Sequence, residues 1–287
     1  MAEPKPDPST LSFYASPGIV TDPKEHAGLL DSLPGEIPAL CDIVQGLFVH
    51  IFWAEEMGLV LSEERKEEVQ LRAVARQLER MLMLDSRPLH EPRPLETRLV
   101  GNCRDFSVFL CAILRHQGTP ARARAGFSTY FRPKHYEDHW VCEHWSEEER
   151  RWIRVDPQLD ALQRRVLGIR FDPLDMPADP FVTGGQAWQM CREGRANPDD
   201  FGIFDMRGLW FVQGDLVRDS LALNKIEILP WDSWGRMSSS KKMPSAEDLA
   251  VLDQIAELTL AGDEAFDRLR DRFENDPELR TPAGWAP

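Results

Sequence analysis

Three side chains, Cys103, His139 and Asp156, have the types needed for covalent chemistry at a carbonyl: a thiol nucleophile, an imidazole base and a carboxylate to orient the ring. A cysteine attacks as its thiolate, a form favoured at a helix N-terminus beside an imidazole. Cys103 follows Gly101-Asn102 and opens a run that is apolar from Phe106 to Leu114 except at Ser107. A helix apolar on almost all sides is a buried central helix, and its positive end would point at the sulfur. The free N–H groups of its first turn are candidate donors to the oxyanion of a tetrahedral intermediate. No second oxyanion donor is identified.

Other reactive residue types read as structural. Cys111 lies further along the same helix inside the apolar run, and Cys41 and Cys191 belong to no pattern. His139, Cys142 and His144 resemble a metal cluster in one dimension, but strand alternation turns Cys142 and His144 away from His139. His135 precedes the strand and lacks an acid partner, and His116 sits at a helix C-terminus, where the dipole accounts for it. Asp105 is expected to stabilise the first helical turn. Arg122 and Arg124 either line a pocket for an anion or, as expected of alternating charges, form a solvated face. Trp188, Trp210, Trp231 and Trp234 are expected in the core rather than in an acyl groove. No motif demands a cofactor or a metal, and calcium has no ligand set.

The elements that must position the three residues follow from periodicity and punctuation. The helix from Cys103 to His116 is stopped by Gly118 and Pro120. Ala121 to Phe127 alternates alanine with arginine and reads as a strand. His139 to Trp145 and Arg151 to Asp156 read as a hairpin joined by Ser146 to Glu149, which would set Trp145 against Arg150 and His139 directly against Asp156. Upstream, Pro4, Pro6, Pro8, Pro17, Pro23 and Pro34 make residues 1–36 an arm expected to wrap on the surface or to be partly disordered, and residues 37–94 are expected to be a helical hairpin broken near Gly58 and recapped at Ser62. Pro88, Pro92 and Pro94 mark the boundary to a catalytic core over residues 95–235. That core turns irregular after Pro157. Residues 236–287 are expected to form helices packing back on it, with Ser245 and Asp248 spaced as a capping box. The fold class expected is α+β.

Composition narrows the function further. With 48 acidic against 34 basic side chains among 287 residues, the net charge of -14 disfavours nucleic acid and anionic membrane surfaces as partners. The N-terminus lacks the basic and apolar runs of a secretory signal, and the apolar stretch from Leu47 to Ala54 is interrupted by His50 and too short to span a bilayer. Five cysteines, an odd number, fit reduced thiols in a cytoplasm. A small-molecule or peptide substrate is expected, and nothing specifies an oligomeric state.

The motifs also resemble a known family. Gly101-Asn102-Cys103-Arg104-Asp105-Phe106, Gly118-Thr119-Pro120-Ala121-Arg122, Asp138-His139-Trp140 and Trp152-Ile153-Arg154-Val155-Asp156-Pro157 are similar to the bacterial transglutaminase-like core. The resemblance implies a central helix packed on an antiparallel sheet and a papain-like triad of Cys103, His139 and Asp156. It implies a cysteine hydrolase or acyltransferase working on an amide or ester through an acyl-enzyme. Two alternatives stay open: a carrier-protein-dependent amide synthase with the same triad, and a non-catalytic binding module that retains the fold.

Overall fold

The computed structural model describes residues 6–237 and 244–287. Its elements are, in chain order, α1 (Pro8–Tyr14), α2 (Ile37–Leu47), β1 (Phe48–His50), α3 (Glu63–Lys66), α4 (Val74–Leu84), β2 (Leu99–Gly101), α5 (Cys103–His116), β3 (Ala121–Ser128), β4 (Tyr136–Ser146), β5 (Arg151–Val155), α6 (Ala161–Leu167), β6 (Phe181–Thr183), α7 (Gly184–Arg192), β7 (Phe201–Ile203), β8 (Met206–Arg207), α8 (Leu209–Leu223), α9 (Ala246–Leu260) and α10 (Phe266–Asn275). The chain is α+β. Its main sheet runs β6-β3-β4-β7-β8, and β5 pairs with β4 as well. Among the described residues no helix is long and apolar enough to cross a membrane.

The sheet has two chemically different faces. Ala121, Ala123 and Ala125 of β3, with Trp140 and Cys142 of β4 and Ile153 and Val155 of β5, bury themselves against the apolar length of α5. The three alanines leave room for the helix to lie close. Every α5 residue from Arg104 to Arg115 is buried, charged ones included. Arg104 donates to the Glu227 carbonyl and Arg115 to the Glu227 carboxylate at 2.7 Å, so one residue satisfies a buried cation near each end of the helix. Strand alternation turns Arg122, Arg124 and His139 to the opposite face.

Two expectations need correction. The segment 37–94 is not a two-helix hairpin, because Phe48–His50 leaves helix and pairs in parallel with Leu99–Gly101. The segment holds three short helices besides that strand; Ser62 does cap α3, accepting from the Arg65 N–H at 3.3 Å. The arm over residues 1–36, of which 1–5 lie outside the described residues, is less superficial than expected. Val20 and Leu30 belong to the core that surrounds α5, and the buried Tyr14 hydroxyl donates to the Leu223 carbonyl at 2.9 Å. Between Pro157 and residue 235, a stretch expected to be irregular, α8 is buried from Phe211 to Leu223 and packs on β3, α7 and α9. The capping box of Ser245 and Asp248 opens α9 as anticipated.

Candidate active site

Cys103 is the first residue of α5, and its setting is rigid for identifiable reasons. Asn102 caps the helix: its side chain accepts from the Arg104 N–H at 3.0 Å, while the Asp105 carboxylate accepts the Asn102 N–H at 2.9 Å. Asp105 is held in turn by Arg104 at 2.8 Å and Gln77 at 2.9 Å. Gly101 lets this turn press against β1, since a Cβ there would meet the Phe48 ring at 2.9 Å and the Asp105 side chain at 3.1 Å. The Cys103 residue keeps a partly exposed surface. Desolvation of the sulfur pushes its pKa well up, the Asp138 and Asp156 carboxylates add to the rise, and the Trp140 backbone N–H opposes it. These effects favour the thiol over the thiolate and oppose the stabilisation expected from the helix N-terminus, so a base is needed to take the proton.

The candidate base stands on β4. His139 is buried and its Nε2 lies 2.8 Å from Asp156 Oδ2, the geometry of an imidazole steadied by a carboxylate. The ladder producing it is not the expected one. Trp145 pairs with Trp152 and Cys142 with Val155, so the turn is Glu147 to Arg150 and the register differs by two residues from a Ser146–Glu149 loop. His139 and Asp156 are consequently not direct partners. A slip of two preserves the face of every side chain, whereas a slip of one would have sent Asp156 to the α5 side. The ladder ends at Val155, the Asp156 N–H turns to the Pro173 carbonyl at 2.8 Å, and the carboxylate reaches His139 diagonally.

Tyr130, which the sequence did not single out, completes the cluster. Its hydroxyl donates to Asp156 Oδ2 at 2.5 Å, and its ring meets His139 edge-on at 5.8 Å between centroids. Gln158 N–H fills the other carboxylate oxygen at 3.0 Å. Burial, followed by the charges of Asp156 and Cys103, keeps the Tyr130 phenol protonated well beyond its usual range, so it serves as a donor. The sulfur is thus felt by Tyr130 and feels Asp156, which places all three in one electrostatic neighbourhood. Tyr130 lies in the loop after β3, and no spacing rule marks such a position.

Residues 60–157, which include Cys103, His139 and Asp156, match the model of the transglutaminase-like superfamily. The chain contains a transglutaminase-like domain. The matched span begins inside the segment expected as a helical hairpin and stops at Pro157, well before residue 235. A solved structure described as a "putative cysteine protease" from Cytophaga hutchinsonii aligns with 18% identity and a TM-score of 0.37, over 62% of this chain and 46% of that one. This chain therefore spans under half the length of that protein. No curated protein matches the chain.

The remaining candidates in and around the transglutaminase-like domain have other partners. Cys142 faces α5, its sulfur 3.3 Å from that of Cys111, so it is separated from His139 by the thickness of the sheet. His135 contacts Arg207 at 2.9 Å, and His116 contacts Asp31 at 2.7 Å. Burial pushes the thiols of Cys41 and Cys191 each up to about 12. Arg122 and Arg124 correct the expectation of a solvated face. Both are buried, and Arg122 binds Glu143 and Asp263 while Arg124 grips Asp219 of α8 with two bonds of 2.8 Å. They neutralise carboxylates from distant segments and are fully committed to them. Trp188 lies in the core, whereas Trp231 is exposed and donates to Gln70.

Proposed function

We propose that this protein is a cysteine-dependent hydrolase or acyltransferase acting on an amide or ester carbonyl through a covalent acyl-enzyme. The observation that carries the reading is the buried His139–Asp156 contact of 2.8 Å, joined to a cysteine at the first position of α5 whose sulfur feels the Asp156 charge. His139 Nε2 is committed to Asp156, so its Nδ1 is the nitrogen that receives the thiol proton. As the sulfur bonds to the carbonyl carbon, the C=O electron pair moves onto oxygen. Collapse expels the leaving group, which takes the proton back from His139. Water or an amine then attacks the thioester by the same route in reverse. Hydrolysis is the favoured fate, on the acidic character of the chain and its expected small or peptide substrate.

The raised thiol pKa favours one competitor, a non-catalytic module that retains the fold. Intact-mass analysis after exposure to amide, ester and thioester libraries tests the matter. The expected result is an acyl adduct on Cys103 that Cys103→Ala lacks. Absence of any adduct, together with iodoacetamide labelling of Cys103 no faster than of buried Cys111, would overturn the enzymatic reading. Amide products from thioester donors and amines, with no hydrolysis, would move it to an amide synthase.

A further inference from the structure

An oxyanion hole needs more than one donor, and the first is in place: the Cys103 N–H, at the start of α5, has no carbonyl to bind within the helix. His50 is the second candidate on position alone. It ends β1 and pairs in register with Gly101, two residues before Cys103. It is buried, at 6% exposure, and its ring lies 6.3 Å from that of Phe106 in the first turn of α5.

The hydrogen bonding of His50 determines what it can do. Its Nδ1 accepts the Phe52 backbone N–H at 3.1 Å. A neutral imidazole whose Nδ1 accepts must carry its proton on Nε2, so Nε2–H is the donor left over. The charged groups it senses are His139 and Asp156, the same pair that serves Cys103. Burial first, and His139 second, push its pKa down to about 3, against a smaller opposing effect of Asp156. Near neutral pH the ring is uncharged, and its one hydrogen bond among the described residues is the one Nδ1 accepts. It is suited to donating a hydrogen bond and unsuited to acting as acid or base.

We propose that His50 is a catalytic residue of this site, its Nε2–H stabilising the oxyanion together with the Cys103 N–H. The inference rests on the acyl-enzyme reading above. In the acylation step the S–C bond forms, the carbonyl pair moves to oxygen, and the thiol proton passes to His139. The oxygen accepts from Cys103 N–H and His50 Nε2–H until the pair returns and the leaving group departs. His50 gains and loses no proton.

Two reactions of the same sulfur separate this role from any other. p-Nitrophenyl acetate acylates through a tetrahedral oxyanion, whereas iodoacetamide alkylates by displacement at a saturated carbon and forms none. His50→Met should slow nitrophenolate release by on the order of 10²–10³-fold while iodoacetamide labelling of Cys103 stays within about twofold of wild type. His50→Gln, which can both accept from Phe52 and donate through its amide, should recover part of the loss. Equal acylation by wild type and His50→Met overturns the proposal, and so does a parallel fall in both rates, which would make His50 a support for the thiol or for His139. A wild-type protein that is alkylated at Cys103 but never acylated overturns the acyl-enzyme reading itself, and this proposal with it. Should His50→Met fail to fold, NMR of the unmodified chain decides: the His50 Nε2–H proton should move downfield when an aldehyde forms a hemithioacetal on Cys103, and an unmoved signal refutes the contact.

Discussion

His139 Nε2 stands 2.8 Å from Asp156 Oδ2 although the two residues are not partners in the ladder that joins their strands. Asp156 lies one residue beyond the last pair, and the shared face of the sheet brings the carboxylate within reach. Its charge therefore has two opposed effects: it steadies the His139 ring, and it adds to the rise that burial and Asp138 impose on the Cys103 thiol pKa.

Asp156→Asn should expose that opposition. The pH profile of iodoacetamide labelling should shift to lower pH, because a carboxylate that disfavours the thiolate is gone. Acylation should nevertheless fall by on the order of 10³–10⁴-fold, because the ring loses its orienting charge. If both moved in the same direction, the pairing would be structural.

Tyr130→Phe removes one donor from Asp156 Oδ2 while keeping the ring edge-on against His139. A hydrogen bond to a charged group is lost from a partly buried site, so urea unfolding should show a decrease of about 1–2 kcal/mol. Acylation should fall by about tenfold, far less than for Asp156→Asn, since the carboxylate keeps its charge.

Glu143 accepts from Arg122, Arg124 and Arg154 across the face of the sheet opposite α5. Burial acts to raise its carboxyl, but Arg124, Arg122 and Arg154 together outweigh burial and hold it well below the usual carboxylate range. Glu143→Gln leaves those guanidiniums short of a counter-charge and should cost about 3–5 kcal/mol in urea unfolding at pH 7. A depressed carboxylate contributes stability that is complete above its unfolded value and lost as pH falls. The gap between wild type and Glu143→Gln should therefore narrow steadily below about pH 4.5.

Gly126 pairs with His139 on one side and Thr183 on the other. A Cβ at this position would lie 2.2 Å from the Val182 carbonyl oxygen and 2.8 Å from Thr183 Cα, so strand β6 must move to admit it. Gly126→Ala should destabilise the protein by about 1–3 kcal/mol. Hydrogen exchange at residues 181–183 should accelerate first, and the effect should reach acylation through the displaced neighbours of His139, Phe181 among them.

The parts legible in the sequence are those that neighbours along the chain encode. The start and end of α5 follow from Asn102, Gly118 and Pro120, and the two faces of β3 follow from its alternation of alanine and arginine. Where the sequence reading failed, the missing partner was far away. Phe48–His50 is a strand only because Leu99–Gly101 lies beside it, and without that strand His50 would be an interruption in an apolar run. Arg124 looks solvated until Asp219, 95 positions along the chain, arrives on α8 to bury it.

The hairpin shows the division within a few residues. Alternation alone determined which side chains share a face, because the period of two is built into the strand. Register was decided by the turn: Arg150 adopts a left-handed conformation at φ 55° and joins the loop, moving every pair by two. His139 and Asp156 still share a face because the shift was even. By itself the sequence set residue types, periods and caps, which depend on local stereochemistry; the tertiary structure alone decided which oxygen faces which nitrogen, because that depends on the packing of segments the chain brings together only when folded.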